Sequence, residues 1–290
     1  MGAIGRRAKA TAVAAAVGAL AMTGAADAKK EAPPKLRTAT AVASATGSPN
    51  VATATATCPG KTKAVSGGFT TTAPAIPTHW LNVFVSTRMG DNKWRVGGSE
   101  YFPGGSDGLT AYAYCQRLKT KIRTVSNSVP LTATVDAGTT AFATCPTGTK
   151  ILSGGFATPA SVPGTFASYV SRSTGVTGSG WVVDATNLEG TAPRTVTAIA
   201  YCAQLGRQTE RTARVAITGP AGALKGVLTP GCPRKTRARS GGFATSTPVG
   251  GLDGAALVYE SVLSARSWYS AASASSSMTS STLVSSASCR

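Results

Sequence analysis

The chain has 290 residues, with 29 Lys and Arg, 11 Asp and Glu, one His and six Cys, and its net charge is +18. Hydrophobic residues make up 42% of the chain, which is enough for a core and argues against wholesale disorder. Only 14% of the residues are charged, so we expect a surface formed largely by Ser, Thr, Gly and Ala. No stretch of 18 apolar residues occurs beyond the N-terminus, so we expect no ordinary membrane span.

The N-terminal segment has the pattern of a secretory signal peptide. Basic residues precede an apolar run from Ala10 to Met22, and an Ala-x-Ala cleavage site ends at Ala28. The run is too short to cross a bilayer. We therefore predict export, with a signal peptide at 1–28 and a flexible leader at 29–50 that is rich in Ala, Thr, Pro and Lys. An uncleaved amphipathic start is the alternative.

An internal repeat of 87 residues accounts for the rest of the chain. Each repeat contains Cys-Pro, then Ser-Gly-Gly-Phe, then one Trp, and ends at a second Cys. The spacing predicts three repeats at 51–120, 121–208 and 209–290. The equivalent residues are Cys58, Cys145 and Cys232; Ser66, Ser153 and Ser240; Trp94, Trp181 and Trp268; and Cys115, Cys202 and Cys289.

The cysteines predict disulfides inside the repeats. Only one pairing recurs identically in every repeat, and an exported chain meets oxidising conditions in which disulfides persist. The predicted bridges are Cys58–Cys115, Cys145–Cys202 and Cys232–Cys289. A zinc site would need closely spaced cysteines and a histidine, whereas the single His79 has no equivalent in the other repeats. We therefore predict no metal and no cofactor.

The local pattern predicts an all-β fold of three tandem disulfide-stapled repeats. Short alternating runs such as Leu109–Cys115, Val196–Cys202 and Leu283–Cys289 indicate strands, and Gly, Pro, Ser and Asn clusters between such runs indicate turns. The Gly-Gly pair before Phe indicates a bulge or a close backbone approach. Two arrangements remain open, namely one small sandwich or barrel for each repeat, or a pseudo-three-fold prism with a shared core.

The repeat frame carries a family resemblance. The Cys-Pro-x-Gly, Ser-Gly-Gly-Phe and Cys pattern, as in Cys145–Gly148 and Tyr201-Cys202, resembles repeats of secreted actinobacterial proteins. It is similar, more loosely, to the vitelline membrane outer layer protein I family, a three-fold β-prism. This chain has much longer Cys spacing than that family, and Lys61 and Lys235 replace the glycine of Cys-Pro-x-Gly. The resemblance implies a non-catalytic extracellular role and assigns no binding residues.

Residues suited to catalysis are scattered. No carboxylate occupies the same place in all three repeats, although Glu100 and Asp107 could form an acid and base pair of the kind that a glycosidase needs. Solvated loop charges are the simpler interpretation of these two residues. A Ser-His-Asp site could use only His79. We therefore predict no catalytic residues.

The three equivalent tryptophans have two interpretations. Exposed rings would stack on sugars, whereas buried rings would anchor the core beside the disulfides. One Trp per repeat, together with an equivalent Phe in each repeat, favours the core interpretation. These phenylalanines are Phe69, Phe156 and Phe243.

The charge is the better indication of function. A strongly basic protein attracts anionic partners. We predict that a polyanion binds to the cations that recur in each repeat and to the densest basic run. These residues are Lys63, Lys150 and Arg237, together with Arg234, Lys235 and Arg239. Nucleic acid is disfavoured as the partner because no aromatic residues lie beside the basic runs.

The sequence thus predicts a secreted, non-catalytic protein whose partner is an anionic cell-wall polymer or an acidic glycan. Association with the cell wall is one form that this location could take. The alternatives from other classes are a secreted hydrolase with one active repeat and a structural coat or inhibitor protein. A basic surface that serves solubility alone is the simplest interpretation of the charge. No pattern in the sequence indicates an oligomeric state.

Overall fold

The computed structural model of the protein describes residues 35–45, 50–72, 80–100, 107–160, 168–176, 179–188, 194–246, 255–276 and 278–290. All regular secondary structure in these ranges is β-strand. Within them, no helix is long and apolar enough to cross a membrane. The signal peptide predicted at 1–28 and His79 lie outside the described residues.

Among the described residues, each repeat contributes six strands. The first repeat has β1 (Arg37–Ser44), β2 (Val51–Thr57), β3 (Lys63–Thr71), β4 (Leu81–Met89), β5 (Lys93–Glu100) and β6 (Gly108–Gln116). The second has β7 (Arg123–Pro130), β8 (Gly138–Thr144), β9 (Lys150–Ala157), β10 (Ser168–Val176), β11 (Gly180–Asn187) and β12 (Thr195–Ala203). The third has β13 (Thr209–Gly219), β14 (Leu224–Leu228), β15 (Ala238–Thr245), β16 (Ala256–Ser264), β17 (Ser267–Ala274) and β18 (Met278–Cys289). The predicted all-β class is confirmed.

The strands form because small apolar residues alternate with polar ones. In β2, the sequence Val-Ala-Thr-Ala-Thr-Ala-Thr buries Ala52, Ala54 and Ala56, whereas the intervening Thr side chains are exposed or half-buried. This period of two matches a strand with one face against the core. The repeated Cys-Pro turn ends with Thr62, whose hydroxyl donates to the carbonyl of Pro59 at 2.6 Å. The same bond recurs in the other repeats, which explains the recurrent threonine.

The strands assemble into three six-stranded sheets, and every sheet takes three strands from each of two repeats. Their orders are β1-β6-β3-β16-β17-β14, β2-β5-β4-β9-β12-β7 and β13-β18-β15-β10-β11-β8. The repeats therefore meet at three equivalent antiparallel junctions, which are β3 with β16, β9 with β4, and β15 with β10. Each repeat pairs with both others, so the three interlock in a closed cycle instead of folding as separate sandwiches.

One continuous hydrophobic core serves all three repeats. Phe243 lies edge-to-face with Phe69 at 6.1 Å and with Phe156 at 6.3 Å between ring centroids, so the equivalent rings meet near a pseudo-three-fold axis. The equivalent tryptophans are buried, with 1%, 3% and 1% of their surface exposed. The core interpretation of these rings is thus confirmed, and they are not sugar-stacking platforms. They are Trp94, Trp181 and Trp268.

Ser-Gly-Gly-Phe holds neighbouring repeats together. The register shifts at Val65, directly before Ser66, so the predicted bulge is confirmed. The Ser66 hydroxyl donates to the carbonyl of Arg239 in the third repeat at 2.5 Å. A Cβ atom on Gly67 would lie 2.2 Å from the Trp94 ring, and one on Gly68 would lie 2.3 Å from the carbonyl oxygen of Ser261. Only glycine allows both close approaches, because any side chain would overlap these atoms.

The three predicted disulfides are present, each within one repeat. In the first repeat, Cys58 directly follows β2 and Cys115 lies in β6, and these strands belong to different sheets. Each disulfide therefore connects two sheets. Among the described residues no cysteine is free. Three disulfides in one chain indicate an oxidising compartment.

The flexible leader predicted at 29–50 is wrong for part of its length, because Arg37–Ser44 forms strand β1. This strand pairs with β6 from Arg37 opposite Cys115 to Ser44 opposite Gly108. Alternate alanines on β1 pack against the core, so the Ala- and Thr-rich composition here belongs to a strand. Its counterparts β7 and β13 lie beside β12 and β18 in the same way, so the first repeat begins well before residue 51.

Candidate functional site

The strand ends that carry the second cysteines lie together, and we call this part of the molecule the disulfide end. Cys115 pairs with Arg37 on β1 and with Ala64 on β3. The Arg88 side chain at the end of β4 donates to the carbonyl of Ala64 at 3.0 Å. The turn from Cys58 to Lys63 and the β4–β5 turn therefore lie at the disulfide end.

All six residues predicted to bind a polyanion lie at the disulfide end. Lys63 and Lys150 begin β3 and β9, and Arg237 lies directly before β15, so the three occupy equivalent places about the pseudo-three-fold axis. Lys150 and Arg237 are exposed, whereas the Lys63 ammonium lies 3.4 Å from Asp91. Arg234 and Lys235 are exposed in the turn before β15.

Arg239 differs from the other five predicted residues because it lies in a junction between repeats. It takes the place held by Val65 and Leu152 in the other repeats and is half-buried. Its guanidinium donates to Oε1 of Gln116 in the first repeat at 3.0 Å. Desolvation, together with the nearby charges of Arg290 and Arg237, lowers the pKa of Arg239.

Several cations at the disulfide end were missed by the sequence analysis. They lie far apart in the sequence and belong to no repeated motif, so only strand pairing and hairpin turns bring them to the same end. They are Arg37, Arg88, Lys93, Arg266 and Arg290. One of them, Arg266, donates to the carbonyls of Cys232 and Pro233 and thereby fixes the neighbouring turn.

Acidic residues are segregated from these cations. Of the acidic residues that the structure describes, Asp91 and Glu210 lie at the disulfide end, and the others lie in mid-strand or at the opposite strand ends. Asp91 accepts from Arg88 at 2.8 Å. This hydrogen bond, helped by Lys63, holds the pKa of Asp91 below its usual value. The charge imbalance therefore makes the disulfide end strongly cationic.

The suggested carboxylate pair is close in space but plays a structural part. Oε1 of Glu100 accepts from the backbone N–H of Asp107 at 2.6 Å, and the two residues are 2% and 4% exposed. Glu100 thus ties the end of β5 to the start of β6. A glycosidase needs carboxyl groups that face a substrate cleft. Neither residue lines the pocket described next.

A pocket of about 180 Å³ opens at the disulfide end, at the junction between the second and third repeats. Its inner wall includes Trp181 and Ile151. Exposed Lys150 and Arg207 lie among its lining residues, as does Glu210. Among the residues that the structure describes, no group of three or more His, Cys, Asp or Glu side chains could hold a metal ion.

Comparison with known proteins assigns the chain to no family. No family model matches the chain, and no curated protein matches it. The class defined by the fold and the site is therefore an all-β, three-repeat, disulfide-linked protein with one strongly basic end.

Proposed function

We propose that this is a secreted, non-catalytic protein that binds an anionic cell-wall polymer or an acidic glycan through its disulfide end. The observation that carries the proposal is the segregation of charge. Cations from all three repeats lie at the disulfide end, whereas only two of the described acidic residues, Asp91 and Glu210, lie there. The disulfides, which indicate an oxidising compartment, support an extracellular location. Attachment to a wall is part of this proposal.

The geometry suits a repeating anionic chain better than a single small anion. Equivalent cations from the three repeats surround one axis, so several charged groups of one polymer would be held at once. Linked contacts of this kind raise the effective concentration of each further contact. Single exposed ion pairs contribute only about 0.2–1 kcal/mol each, so affinity would arise from their number and would fall as salt rises.

A charge-removal variant tests the proposal. We expect the double variant Lys150→Gln, Arg237→Gln to bind an immobilised acidic polysaccharide about fivefold more weakly at low salt, because two exposed ion pairs are lost. The matched control is Arg214→Gln, Lys225→Gln, which removes the same charge from exposed positions on β13 and β14, away from the disulfide end. Affinity should be measured by biolayer interferometry across a salt series.

The control separates binding at one end from a general effect of net charge. Equal losses in the two double variants would contradict the assignment of the disulfide end. A wild-type protein that ignores acidic polysaccharides at low salt would overturn the proposal as a whole. The hydrolase and the coat or inhibitor alternatives predict no difference between the two double variants.

Removal of the acid at the same end should have the opposite effect. We expect Asp91→Asn to strengthen binding of the acidic polysaccharide about twofold, because the carboxylate that competes for Lys63 and neutralises the buried Arg88 disappears. Its lowered pKa keeps Asp91 charged at neutral pH, so the change removes a full negative charge. The same binding assay measures the effect.

Asp136→Asn provides the control for that variant. Asp136 lies near the opposite strand ends, where its N–H donates to the carbonyl of Asn187 at 2.8 Å. Its φ of 66° is one that asparagine tolerates well. We expect unchanged polysaccharide binding for Asp136→Asn, and a gain equal to that of Asp91→Asn would contradict the prediction.

A further inference from the structure

The pocket beside Trp181 exists because one of three equivalent junctions lacks a tyrosine. At the junction between the first and second repeats, the Tyr201 ring lies edge-to-face with Trp94, at 5.6 Å between centroids and 68° between planes. The Tyr201 hydroxyl accepts from the backbone N–H of Arg88 at 2.7 Å. It also shares a 2.7 Å hydrogen bond with Thr87.

The junction between the third and first repeats is built in the same way. Tyr114 lies edge-to-face with Trp268, at 5.7 Å and 75°, and its hydroxyl accepts from the N–H of Leu263 at 2.7 Å. Both tyrosines are almost fully buried. A phenol ring against a tryptophan, with its hydroxyl on a strand amide, is therefore the regular filling of these junctions.

The junction between the second and third repeats has the equivalent tryptophan, Trp181, but no tyrosine ring beside it. The repeat places Ser288 where the other two have Tyr114 and Tyr201. The hairpin register places Gly175 opposite Trp181, as it places Arg88 opposite Trp94 and Leu263 opposite Trp268. Both Ser288 and Gly175 line the pocket.

The threonine of this junction forms a hydrogen bond with a serine instead of a tyrosine. Thr174, the counterpart of Thr87, shares a 2.6 Å hydrogen bond with Ser286 instead. The tryptophan keeps its own support, since the Trp181 indole N–H donates to Ser173 at 3.0 Å just as Trp94 does to Ser86. Trp181 is thus held as the other tryptophans are, although the tyrosine ring that packs on the tryptophan at the other two junctions is missing.

The size of the pocket agrees with a ring-sized occupant. Its volume of about 180 Å³ is slightly larger than the ~150 Å³ of an engineered apolar cavity that binds benzene. The mouth carries Lys150 and Arg207, both exposed, beside Glu210. Two cations against one acid favour a ligand with a negatively charged group outside the ring.

We propose that this pocket binds a small phenolic acid. Its ring would take the place that tyrosine fills at the other junctions, edge-on to Trp181, with the hydroxyl accepting from the Gly175 N–H. Its carboxylate would lie at the mouth near Lys150 and Arg207. This proposal is independent of polymer binding, since it depends on the missing ring and not on the general charge of the disulfide end.

The probe is 4-hydroxyphenylacetate, titrated into the full-length, disulfide-bonded protein. We expect one site per chain with a dissociation constant on the order of 1 mM, as suits so small a ligand. In ¹⁵N-correlated NMR spectra, the indole N–H signal of Trp181 should move, and those of Trp94 and Trp268 should stay in place. The variant Trp181→Phe assigns the signal.

Chemical analogues test each end of the ligand. Phenylacetate, which lacks the hydroxyl, should bind about fivefold more weakly, because one hydrogen bond to the backbone is lost. Tyramine, which carries an amine in place of the carboxylate, should bind about threefold more weakly because the mouth is cationic. Equal or tighter binding of tyramine would overturn the assignment of the mouth.

Filling the pocket from within provides the decisive variant. Ser288→Tyr should restore the regular junction, abolish the shift of the Trp181 signal and raise the melting temperature. Ser288→Phe fills the same space with a ring that lacks the hydroxyl, and it gives a second block. Ser288→Ala keeps the pocket open and should bind normally. No shift with the wild type, or an unchanged shift in both filled variants, would overturn the proposal.

Discussion

Replacement of Gly68 by alanine is expected to destabilise the protein by about 3 kcal/mol, which is the upper part of the range for overpacking. The new Cβ would lie 2.3 Å from the backbone carbonyl oxygen of Ser261, which belongs to another repeat. Because this neighbour is backbone, relief requires the third repeat to move away from the first at β3 and β16. Thermal unfolding should show a melting temperature about 6–12 °C lower, given the size of the chain.

Gly206 supplies the matched control for that substitution. A Cβ atom at Gly206 meets nothing within 4 Å, and its φ lies outside the left-handed region. Gly206→Ala should therefore leave the melting temperature unchanged or slightly raised. If Gly68→Ala melted like Gly206→Ala, the close approach between the repeats would not exist as described.

Removal of the Cys145–Cys202 bridge, by replacing both cysteines with alanine, should cost about 4 kcal/mol in the chain-entropy model for a loop of this length. That loss corresponds to a melting temperature lower by about 8–16 °C. The bridge also connects two sheets, because Cys145 directly follows β8 and Cys202 lies in β12. Loss of the bridge therefore weakens the attachment of one sheet to the next as well as the closure of a loop.

The three bridges act as controls for one another. All close loops of the same sequence separation, 57 residues, so the entropic model predicts equal losses for each pair removed. Removal of all three should cost about 12 kcal/mol, which is comparable with the usual stability of a domain, about 5–15 kcal/mol, and should leave the chain largely unfolded. Denaturant unfolding of each double variant gives the free energies, and a loss below 1 kcal/mol for any pair would contradict the prediction.

Much of the fold could be predicted because a repeat constrains many residues at once. One spacing gave the three disulfides, and the shared place of Trp94, Trp181 and Trp268 indicated a common core position. The Gly-Gly pair correctly indicated a bulge and a close backbone approach. The disulfide prediction succeeded because each bridge lies within one repeat, and the Gly-Gly prediction succeeded because glycine marks a close backbone approach whichever repeat supplies the neighbour.

The exchange of strands between repeats could not be predicted in the same way. Alternation shows which face of a strand such as β2 is buried, but no sequence pattern shows whether β3 pairs with β4 of the same repeat or with β16 of another. Strand β1 was missed because alanine and threonine are common in flexible segments as well as in edge strands. Which strand pairs with which depends on how the three repeats pack together.

The candidate site divides similarly. The recurrent Lys63, Lys150 and Arg237 could be found from the sequence, but their common location at one end required the strand directions. The pocket was not predicted because it arises from the absence of a tyrosine, whereas a sequence motif is recognised by the residues that it contains. Its sequence signal was nonetheless available, since Ser288 interrupts a position that Tyr114 and Tyr201 otherwise share.

The exchange of strands between repeats also fixes how many repeats make a finished molecule. Each repeat gives β-strands to two sheets and needs a neighbour on both sides, so the ring closes at three. A shortened chain with one or two repeats would leave backbone groups unpaired at the open junctions. Three copies of a single-repeat chain would supply the same three junctions, so that each closed ring would still contain three repeats although it consists of three chains.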